Sequence, residues 1–388
     1  MGELLDARTA AERLGVDVRT LYAYVSRGSL RRVPGPDGRS SRYDSDDLEL
    51  LAKRSRPRTL PRPAASIDLV IATRVSTVTD GVVRYRGVNV AGLVAAREPF
   101  ERVTDLLWDG PAGDWEPGAS QATPPADGLP VLHRFAIAVA MMPEAVPGAA
   151  PERPDWPGYG RRLIGHLVRC PGHAAAASRP GGDEGGTVAG RLWQRWSPLA
   201  PTPPRVRALN TALVLLAEHE LALSTLSVRV AASARAAPSA CILAGLSTLS
   251  GALHGGAGRA LHEWLAARAA GQPGGPAHLV APGHPVHQHG DPRTAPLLDD
   301  VYGFATSADR ELIESTATLA AAPPNADFAL GALSYAARMP PEAATAIFAI
   351  ARIAGWIAHA AEEYGEPPLR FRGHAFGRTG GGPPRPPA

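Results

Sequence analysis

The pattern of apolar and polar positions divides the chain into a small mixed segment, a charged linker and a long body. In residues 1–52, two short helical patterns flank Gly15, the turn position of a helix-turn-helix. A Pro/Gly turn, a strand-like piece and a helix beginning near Ser45 follow. Residues 53–66 are an Arg/Pro linker, too stiff and charged for a core. We therefore expect a small helix-turn-helix module tethered to a separate body.

The body opens at Ile67 with a strand-like stretch, and from Val206 to Glu363 it is mostly apolar helical sequence with short polar breaks. Residues 110–130 and 143–160 are rich in Pro and Gly, which predicts loops or partly ordered insertions. The tail of residues 373–388 has a disordered composition. Because strand signals are confined to the early part, the body is predicted to be mainly α.

One uncharged stretch, from Ala236 to Leu253, has the length of a membrane span. It contains Pro238, Gly245 and Gly251 among several Ser and Thr, and no neighbouring segment supports a membrane. A buried helix rich in small residues is the better interpretation, so no membrane partner is expected.

Charge and cysteine content bound the partners and the compartment. The net charge is +3, but residues 1–66 hold 13 Lys/Arg against 9 Asp/Glu, so the rest of the chain sums to about −1. This basic segment permits a nucleic-acid partner without requiring one. Two cysteines, Cys170 and Cys241, form no disulfide framework, and the N-terminus has acidic residues and no apolar run. We therefore expect a cytoplasmic protein.

Two histidines stand in unusual surroundings. His219 lies between two glutamates in AEHEL, at the end of an apolar helix, where a surface turn is the simpler interpretation. His254, in LSGALHGGAG, follows an uncharged run and precedes two glycines. Glycines let a backbone approach a ligand and free a helix N-terminus to receive one. His254 is therefore either a capped core histidine or a hydrogen-bond donor to a substrate.

A third segment, APGHPVHQHGDPR, collects ionisable side chains within ten residues. They are His284, His287, His289, Asp291 and Arg293. Histidine and aspartate at short spacing can bind zinc. No HExxH or paired-cysteine motif accompanies them, and two prolines restrict the backbone, so we predict no metal.

Two isolated charges stand in apolar helical sequence. Asp327 is the only charge in PPNADFALG, and Arg352 is the only charge between Glu342 and Glu362. Arginine stays charged and is rarely buried without a partner. A solvated stripe would accommodate Arg352, but the apolar neighbours favour a buried arginine that waits for an anionic ligand.

Together these residues comprise two histidines, one isolated carboxylate and several arginines. A carboxylate can remove the α-proton of a thioester while a neutral histidine donates to the thioester oxygen. A second histidine can polarise an acceptor carbonyl, and arginines can bind carboxylates with two hydrogen bonds. The set suits enolisation of a thioester followed by attack on a dicarboxylate.

Several motifs in order give a specific resemblance. The run HELALSTLSVRVAAS, LSGALHGGA, GHPVHQHGDPR, PNADFALGAL, ARIAGWIAHA and PLRFRG resembles the citrate synthase family over residues 67–372. The resemblance implies a mainly α-helical homodimer with a large domain and a small domain, roughly residues 225–328. It also implies condensation of acetyl-CoA, or a related acyl-CoA, with oxaloacetate to citrate and free CoA, without a cofactor. A transcriptional regulator that uses the fold as a metabolite sensor is the alternative, and a metal-dependent hydrolase built on the histidine cluster is a third.

The resemblance also assigns roles to residues. His254 matches the histidine that stabilises the acetyl-CoA enol, His284 the one that polarises oxaloacetate, and Asp327 the catalytic base. The resemblance also implies four oxaloacetate ligands, which are His219, Arg293, Arg352 and Arg370. Of these, Arg370 would reach the substrate from the partner subunit.

The chain departs from the family pattern mainly where the family meets CoA. Ala222 replaces an asparagine, Gly258 and Arg259 replace Asn-Glu, and Ala320 replaces a lysine thought to meet CoA phosphates. His287 and Gln288 replace an aromatic residue and a lysine. Propionyl-CoA, which would make the chain a 2-methylcitrate synthase, and an unusual 2-oxo acid therefore remain open as substrates.

The N-terminal segment resembles MerR-like or excisionase-like helix-turn-helix domains, through AERLGVDVRTLYAYVSRGSL and RYDSDDLELL. Its second helix, Asp17 to Arg27, would present Arg19, Thr20 and Tyr22 to a DNA groove. DNA binding is one expectation, and a docking or regulatory role within the homodimer is the other.

Overall fold

The computed structural model describes residues 3–14, 16–26, 30–35, 40–48, 69–79, 81–113, 115, 128–143, 154–170, 186–251, 254–272, 290–319 and 323–373. The chain divides into two compact units, Met1–Thr73 and Arg74–Ala388. The predicted linker of residues 53–66, and the predicted tail beyond its first residue, lie outside the described part of the chain.

The first unit is a helix-turn-helix with a small sheet. Its elements are β1 (Leu4–Asp6), α1 (Ala7–Leu14), α2 (Val18–Ser26), β2 (Val33–Pro34) and β3 (Ser41–Asp44). The strands pair antiparallel in the order β1-β3-β2, and a helix begins at Ser45, as predicted. A core that includes Leu21 and Tyr43 holds the unit together.

The second unit begins with the predicted strand segment, which forms an antiparallel three-stranded sheet of consecutive strands. These strands are β4 (Ser76–Thr79), β5 (Val82–Tyr85) and β6 (Val88–Asn89). Val83 and Tyr85 point into the main core. The sheet therefore anchors the start of this unit to the helices that follow.

Helices make up most of the second unit. They are α3 (Val90–Ala95), α4 (Phe100–Trp108), α5 (Val131–Met141), α6 (Trp156–Val168), α7 (Val188–Trp196), α8 (Pro203–Leu216), α9 (Leu223–Ser233), α10 (Pro238–Leu249), α11 (Ala257–Ala269), α12 (Thr294–Tyr302), α13 (Ser307–Leu319), α14 (Ala326–Ala336) and α15 (Glu342–Tyr364). The prediction of a mainly α body is confirmed.

Helix α6 begins inside the segment that was predicted as a loop, residues 143–160, so that prediction is wrong from Trp156 onward. The side chain of Asp155 accepts the N–H of Gly158 at 2.9 Å and caps the helix. Pro157 occupies the first turn, where it needs no N–H partner. A Pro/Gly-rich sequence here starts a helix instead of interrupting one.

Helix α15 forms the centre of the second unit. Within the described residues it is the one helix with the length and apolarity of a membrane span, but 94% of its apolar window is buried inside the protein. It packs against α4, α6, α8, α9 and α10. Helix α15 is thus the core helix of a globular unit, and the uncharged stretch after Ala236 likewise forms the core helix α10.

Candidate active site

Arg352 lies in the middle of α15 and is 2% exposed, which excludes a solvated stripe. Its Nε donates to the carbonyl of Leu216 at 3.0 Å, and its guanidinium stacks over the Phe348 ring at 4.7 Å. Burial lowers the pKa of Arg352, the charge of Glu218 raises it, and that of Arg293 lowers it further. No carboxylate in the described part of the chain pairs with this guanidinium within 4.0 Å. Arg352 is a buried cation placed for an anion.

His254 stands just before α11, and its ring also contacts Phe348. The two rings are edge to face, with centroids 6.3 Å apart. Its Nε2 lies 2.9 Å from the hydroxyl of Ser224. Burial lowers the pKa of His254, and the nearby charge of Arg352 lowers it further. The imidazole is therefore neutral at neutral pH, which is the form that donates a hydrogen bond without carrying charge.

Asp327 lies in the first turn of α14, which Asn325 caps by accepting the N–H of Phe328 at 3.0 Å. Burial raises the pKa of Asp327, although the charges of Arg293 and Arg352 oppose the rise. A carboxylate in this state accepts a proton more readily than an ordinary one. Its environment suits a general base.

Helix α11, which follows His254, and helix α14, which carries Asp327, approach each other closely. A Cβ at Gly258 would lie 3.3 Å from the carbonyl oxygen of Asp327, and one at Gly331 would lie 2.6 Å from the carbonyl oxygen of Gly258. A larger residue at either position would force the helices apart. Gly258, which stands where the family has an asparagine, is therefore part of this helix contact.

Arg293 lies beside Asp327 but already has a partner. Its Nε and Nη2 donate to the two carboxylate oxygens of Asp291 at 2.9 and 2.7 Å. Burial would raise the pKa of Asp291, but the hydrogen bonds and charge of Arg293 hold it well below its usual range. Arg293 is predicted to be an oxaloacetate ligand. Its charge is balanced by the carboxylate of Asp291, whereas Arg352 has no such ion pair in the described residues.

His219 belongs to a buried turn, so the interpretation of this segment as a surface turn is wrong. His219 is 6% exposed and Glu218 is fully buried. Glu220 adopts a positive φ of 53°, which reverses the chain after α8. The hydroxyl of Tyr85 accepts the N–H of Glu218 at 3.2 Å and lies 3.0 Å from its carbonyl oxygen. Sheet β4–β6 thereby fixes the turn.

Arg370 lies in a separate ionic cluster. Its Nε and Nη2 donate to Glu363 at 2.6 Å each. Arg229, which is fully buried, donates to the same Glu363 at 2.9 Å and to Glu362 at 2.6 Å. Within one chain, Arg370 is thus held by this cluster.

His284, together with His287, His289 and Ala320, lies outside the described residues. Among the residues that the structure does describe, no group of three or more His, Cys, Asp or Glu side chains is arranged to hold a metal ion.

In the first unit, Arg19 and Tyr22 are exposed on α2, and Tyr22 has 51% of its surface accessible. Thr20 is half-buried, and its N–H is accepted by Asp17, which caps the helix, at 2.6 Å. The face predicted to meet a partner is therefore turned to solvent at two of its three positions.

Sequence reasoning missed four residues that contact the predicted site residues or the turn that carries His219: Ser224, Phe348, Tyr85 and His359, whose Nε2 lies 3.2 Å from Glu218. Ser224 follows His219 in one of the motifs, and His359 lies seven residues after Arg352, two turns along the same helix. These spacings were the available signals. The contact with Tyr85 links positions 129 or more residues apart, which no local pattern reveals.

Comparisons with known proteins agree on one family. A family model described as citrate synthase, C-terminal domain, matches residues 68–372, and a helix-turn-helix domain model matches residues 4–56. Citrate synthase 2 of Bacillus subtilis is 30% identical over 230 residues, covering 53% of this chain and 61% of that protein. The match thus spans less than two thirds of that relative. Putative citrate synthase 2 of Mycobacterium tuberculosis is 29% identical over 324 residues, covering 73% and 83%.

Solved structures give the same fold. Citrate synthase from Pyrobaculum aerophilum aligns with a TM-score of 0.62 and 23% identity, covering 79% of this chain and 89% of that one. Citrate synthase from Thermoplasma acidophilum, in a ternary complex with carboxymethyl coenzyme A and oxaloacetate, aligns with a TM-score of 0.57 and 22% identity, covering 82% and 96%.

Proposed function

Since the chain belongs to the citrate synthase family, we propose that it condenses an acyl-CoA, acetyl-CoA first of all, with oxaloacetate to give citrate and free CoA. The observation that carries the proposal is the charge state of Arg352. A guanidinium is costly to bury without a paired counter-ion, and in the described part of the chain no carboxylate lies within 4.0 Å of this one, although the charges of Glu218 and Asp327 act on it from further away. A dicarboxylate substrate would supply the missing negative charge.

The neighbouring groups suit the chemistry of the first step. Asp327 takes a proton from the α-carbon of the acyl group, and its raised pKa matches that task. His254 remains neutral and donates to the thioester oxygen as enolate character develops. If the hydroxyl of Ser224 donates to Nε2 of His254, the donating proton resides on Nδ1.

The carbon–carbon bond then forms between the α-carbon and the carbonyl carbon of oxaloacetate. The resemblance assigns polarisation of that carbonyl to His284, and His219 and Arg293 join Arg352 in binding the dicarboxylate. Water cleaves the resulting thioester, which releases CoA and leaves the new carboxylate. The reaction needs no cofactor besides the CoA thioester.

The length of the acyl chain that the site accepts is the part of the substrate specificity that stays open. Propionyl-CoA in place of acetyl-CoA would give 2-methylcitrate by the same steps. A panel of acyl-CoAs against oxaloacetate and other 2-oxo acids, with release of free thiol as the readout, tests the proposal. Thiol release that requires both substrates supports it, and no release with any pair contradicts it.

A homodimer fits the surface of the second unit. Leu223 and Val230 of α9 are 68% and 45% exposed, and Met141 of α5 is 58% exposed. Both helices pack on α10, so these apolar side chains belong to neighbouring elements. In such a dimer Arg370 would reach the partner's substrate, as the resemblance implies. Sedimentation velocity on the full chain tests the assembly.

The regulator alternative lacks support from the comparisons, because every relative and structure named above is a citrate synthase. The helix-turn-helix unit nonetheless adds a contact surface on α2, and either DNA or a protein would be its partner. Both cysteines are buried free thiols, in keeping with a reducing, cytoplasmic location.

A further inference from the structure

One face of α15 contacts three consecutive residues at the end of α8. Arg352 Nε donates to the carbonyl of Leu216 at 3.0 Å, and the N–H of Gly355 donates to the carbonyl of Ala217 at 3.1 Å. Seven residues beyond Arg352, the Nε2 of His359 lies 3.2 Å from Oε1 of Glu218. The next residue in the chain is His219. We call these three contacts the α15 clamp.

The surroundings of His359 fix its protonation. Its Nδ1 lies 2.9 Å from Nη1 of Arg229, and a guanidinium nitrogen only donates. Nδ1 must therefore accept, which places the single ring proton on Nε2, facing the carboxylate of Glu218. A doubly protonated imidazole would oppose two N–H groups at 2.9 Å. The imidazole thus lies between Arg229 and Glu218, with one ring nitrogen facing each of them.

The two ends of this chain of contacts are themselves anchored. Arg229 donates to Glu362 and Glu363 at 2.6 and 2.9 Å, and all of its side chain is buried. At the other end, the backbone of Glu218 bonds to the hydroxyl of Tyr85. His359 is fully buried between these anchors, so its ring has little room to shift.

The clamp also depends on a glycine. A Cβ at Gly355 would lie 2.0 Å from Oε2 of Glu218 and 2.7 Å from the carbonyl oxygen of Ala217. Only a residue without a side chain lets α15 come this near to the turn. The approach aligns the Glu218 carboxylate with the imidazole of His359, one helical turn further on.

From this geometry we infer that His359 is a positioning residue of the active site. Its imidazole, oriented by Arg229, lies against the Glu218 carboxylate, which Ser76 also contacts, and thereby helps to set the turn that carries His219. The inference rests on the proposed function, because it assigns His219 to oxaloacetate. Loss of the contact should weaken oxaloacetate binding and leave the acyl-CoA site largely unaffected.

Substitutions at position 359 separate positioning from simple filling of space. In His359→Gln, the amide oxygen can accept from Arg229 while the amide nitrogen donates to Glu218, which preserves the polarity of both contacts. His359→Asn offers a polar group to Arg229 but is too short to reach Glu218. His359→Leu fills the space and makes neither contact. All three replacements are tested in the full-length chain.

The assay measures KM for oxaloacetate, KM for acetyl-CoA and kcat, with calorimetric oxaloacetate binding and thermal unfolding on the same samples. We expect KM for oxaloacetate to rise about tenfold or more in His359→Asn and His359→Leu, because both lose the close polar contact with the Glu218 carboxylate. In His359→Gln it should stay within about threefold of the original protein, and KM for acetyl-CoA should change little in every variant.

Equal KM values for oxaloacetate in His359→Gln and His359→Asn, or an unchanged KM for oxaloacetate in His359→Asn, would overturn the inference. If the Leu variant does not fold, the Gln and Asn pair still decides. If the original protein releases no thiol from any acyl-CoA, the proposed reaction fails. Calorimetric oxaloacetate binding by the three variants then tests the positioning role by itself.

Discussion

The carboxylate of Asp291 holds the guanidinium of Arg293 with two hydrogen bonds, at 2.9 and 2.7 Å. The same carboxylate accepts the N–H of Ala326 at 3.0 Å, one residue before Asp327. The pair therefore ties the charge of Arg293 to the start of α14. Arg352, by contrast, is a buried cation that forms no ion pair within 4.0 Å in the described part of the chain.

Arg352→Lys should therefore weaken oxaloacetate binding. Lysine keeps the charge but loses the planar fork that binds a carboxylate with two hydrogen bonds, so we expect the apparent KM for oxaloacetate to rise roughly 10- to 100-fold. KM for acyl-CoA should move much less. Arg338→Lys is the matched control, because Arg338 pairs with Asp309 at the surface. A larger effect on acyl-CoA than on oxaloacetate would show that Arg352 serves the other substrate.

Asp327→Asn should raise thermal stability near pH 7. Burial raises the pKa of Asp327 above its ordinary value of 3.8, so the folded protein binds this proton more tightly than the unfolded chain does. The stabilisation from that proton is present below the unfolded pKa and is lost as pH rises through the folded pKa. Removing this half-buried charge should raise Tm by roughly 1–4 °C at pH 7.

The gain should shrink at pH 4, where the carboxyl of the original protein becomes protonated as well. Calorimetric scans of both proteins at the two pH values measure it. A lower Tm for Asp327→Asn at pH 7 would mean that attraction to Arg293 and Arg352 outweighs burial.

Acyl-CoA saturation should depend on Arg259. The family lysine is replaced by Ala320, and Arg259 follows His254 closely in the first turn of α11 with 58% of its side chain exposed. If it meets CoA phosphates, Arg259→Ala should raise KM for acetyl-CoA about three- to tenfold and leave oxaloacetate unaffected. Arg268→Ala, at the far end of the same helix, is the control. Equal KM values in both variants would remove Arg259 from the CoA site.

DNA binding by the N-terminal unit should depend on Arg19. In a helix-turn-helix the second helix enters the major groove, and Arg19 is exposed at the start of α2. Selection of genomic fragments at low and moderate salt should enrich a sequence, and Arg19→Ala should reduce the salt slope of binding by about one. Arg8→Ala, on α1, should leave both unchanged. No enriched sequence, and no response to Arg19→Ala, would assign the unit to protein contact.

The sequence was sufficient for the parts of this account that depend on local pattern. Short stretches of sequence were enough to predict the helix content, the helix-turn-helix and the burial of Arg352. They also predicted that glycines precede the start of a helix after His254, which is α11. The burial of Glu218 and His219 was harder to predict, because two glutamates around a histidine are typical of a surface turn. Contacts from residues distant in sequence, Tyr85 and His359 among them, make that turn part of the core.

The pairing of Arg293 with Asp291 was equally hidden. The two residues are two positions apart in a segment dense with ionisable side chains, and the sequence offers no reason to choose the aspartate over a substrate as partner. The burial of both side chains, which makes the pairing favourable, arises from the packing of α12 against α14. The roles of His254, Asp327 and the arginines in the reaction stay predictions until they are measured.

The most direct measurement follows the carbon atom that the reaction should join. Acetyl-CoA labelled with ¹³C at its methyl carbon is incubated with oxaloacetate and the full-length protein, and the products are identified by NMR. We predict label in a methylene carbon of citrate, with formation slowed about 10²-fold or more in Asp327→Asn while oxaloacetate still binds. Label that stays in acetyl-CoA, or appears in acetate, would contradict condensation. Citrate formed at an undiminished rate by Asp327→Asn would contradict Asp327 as the base.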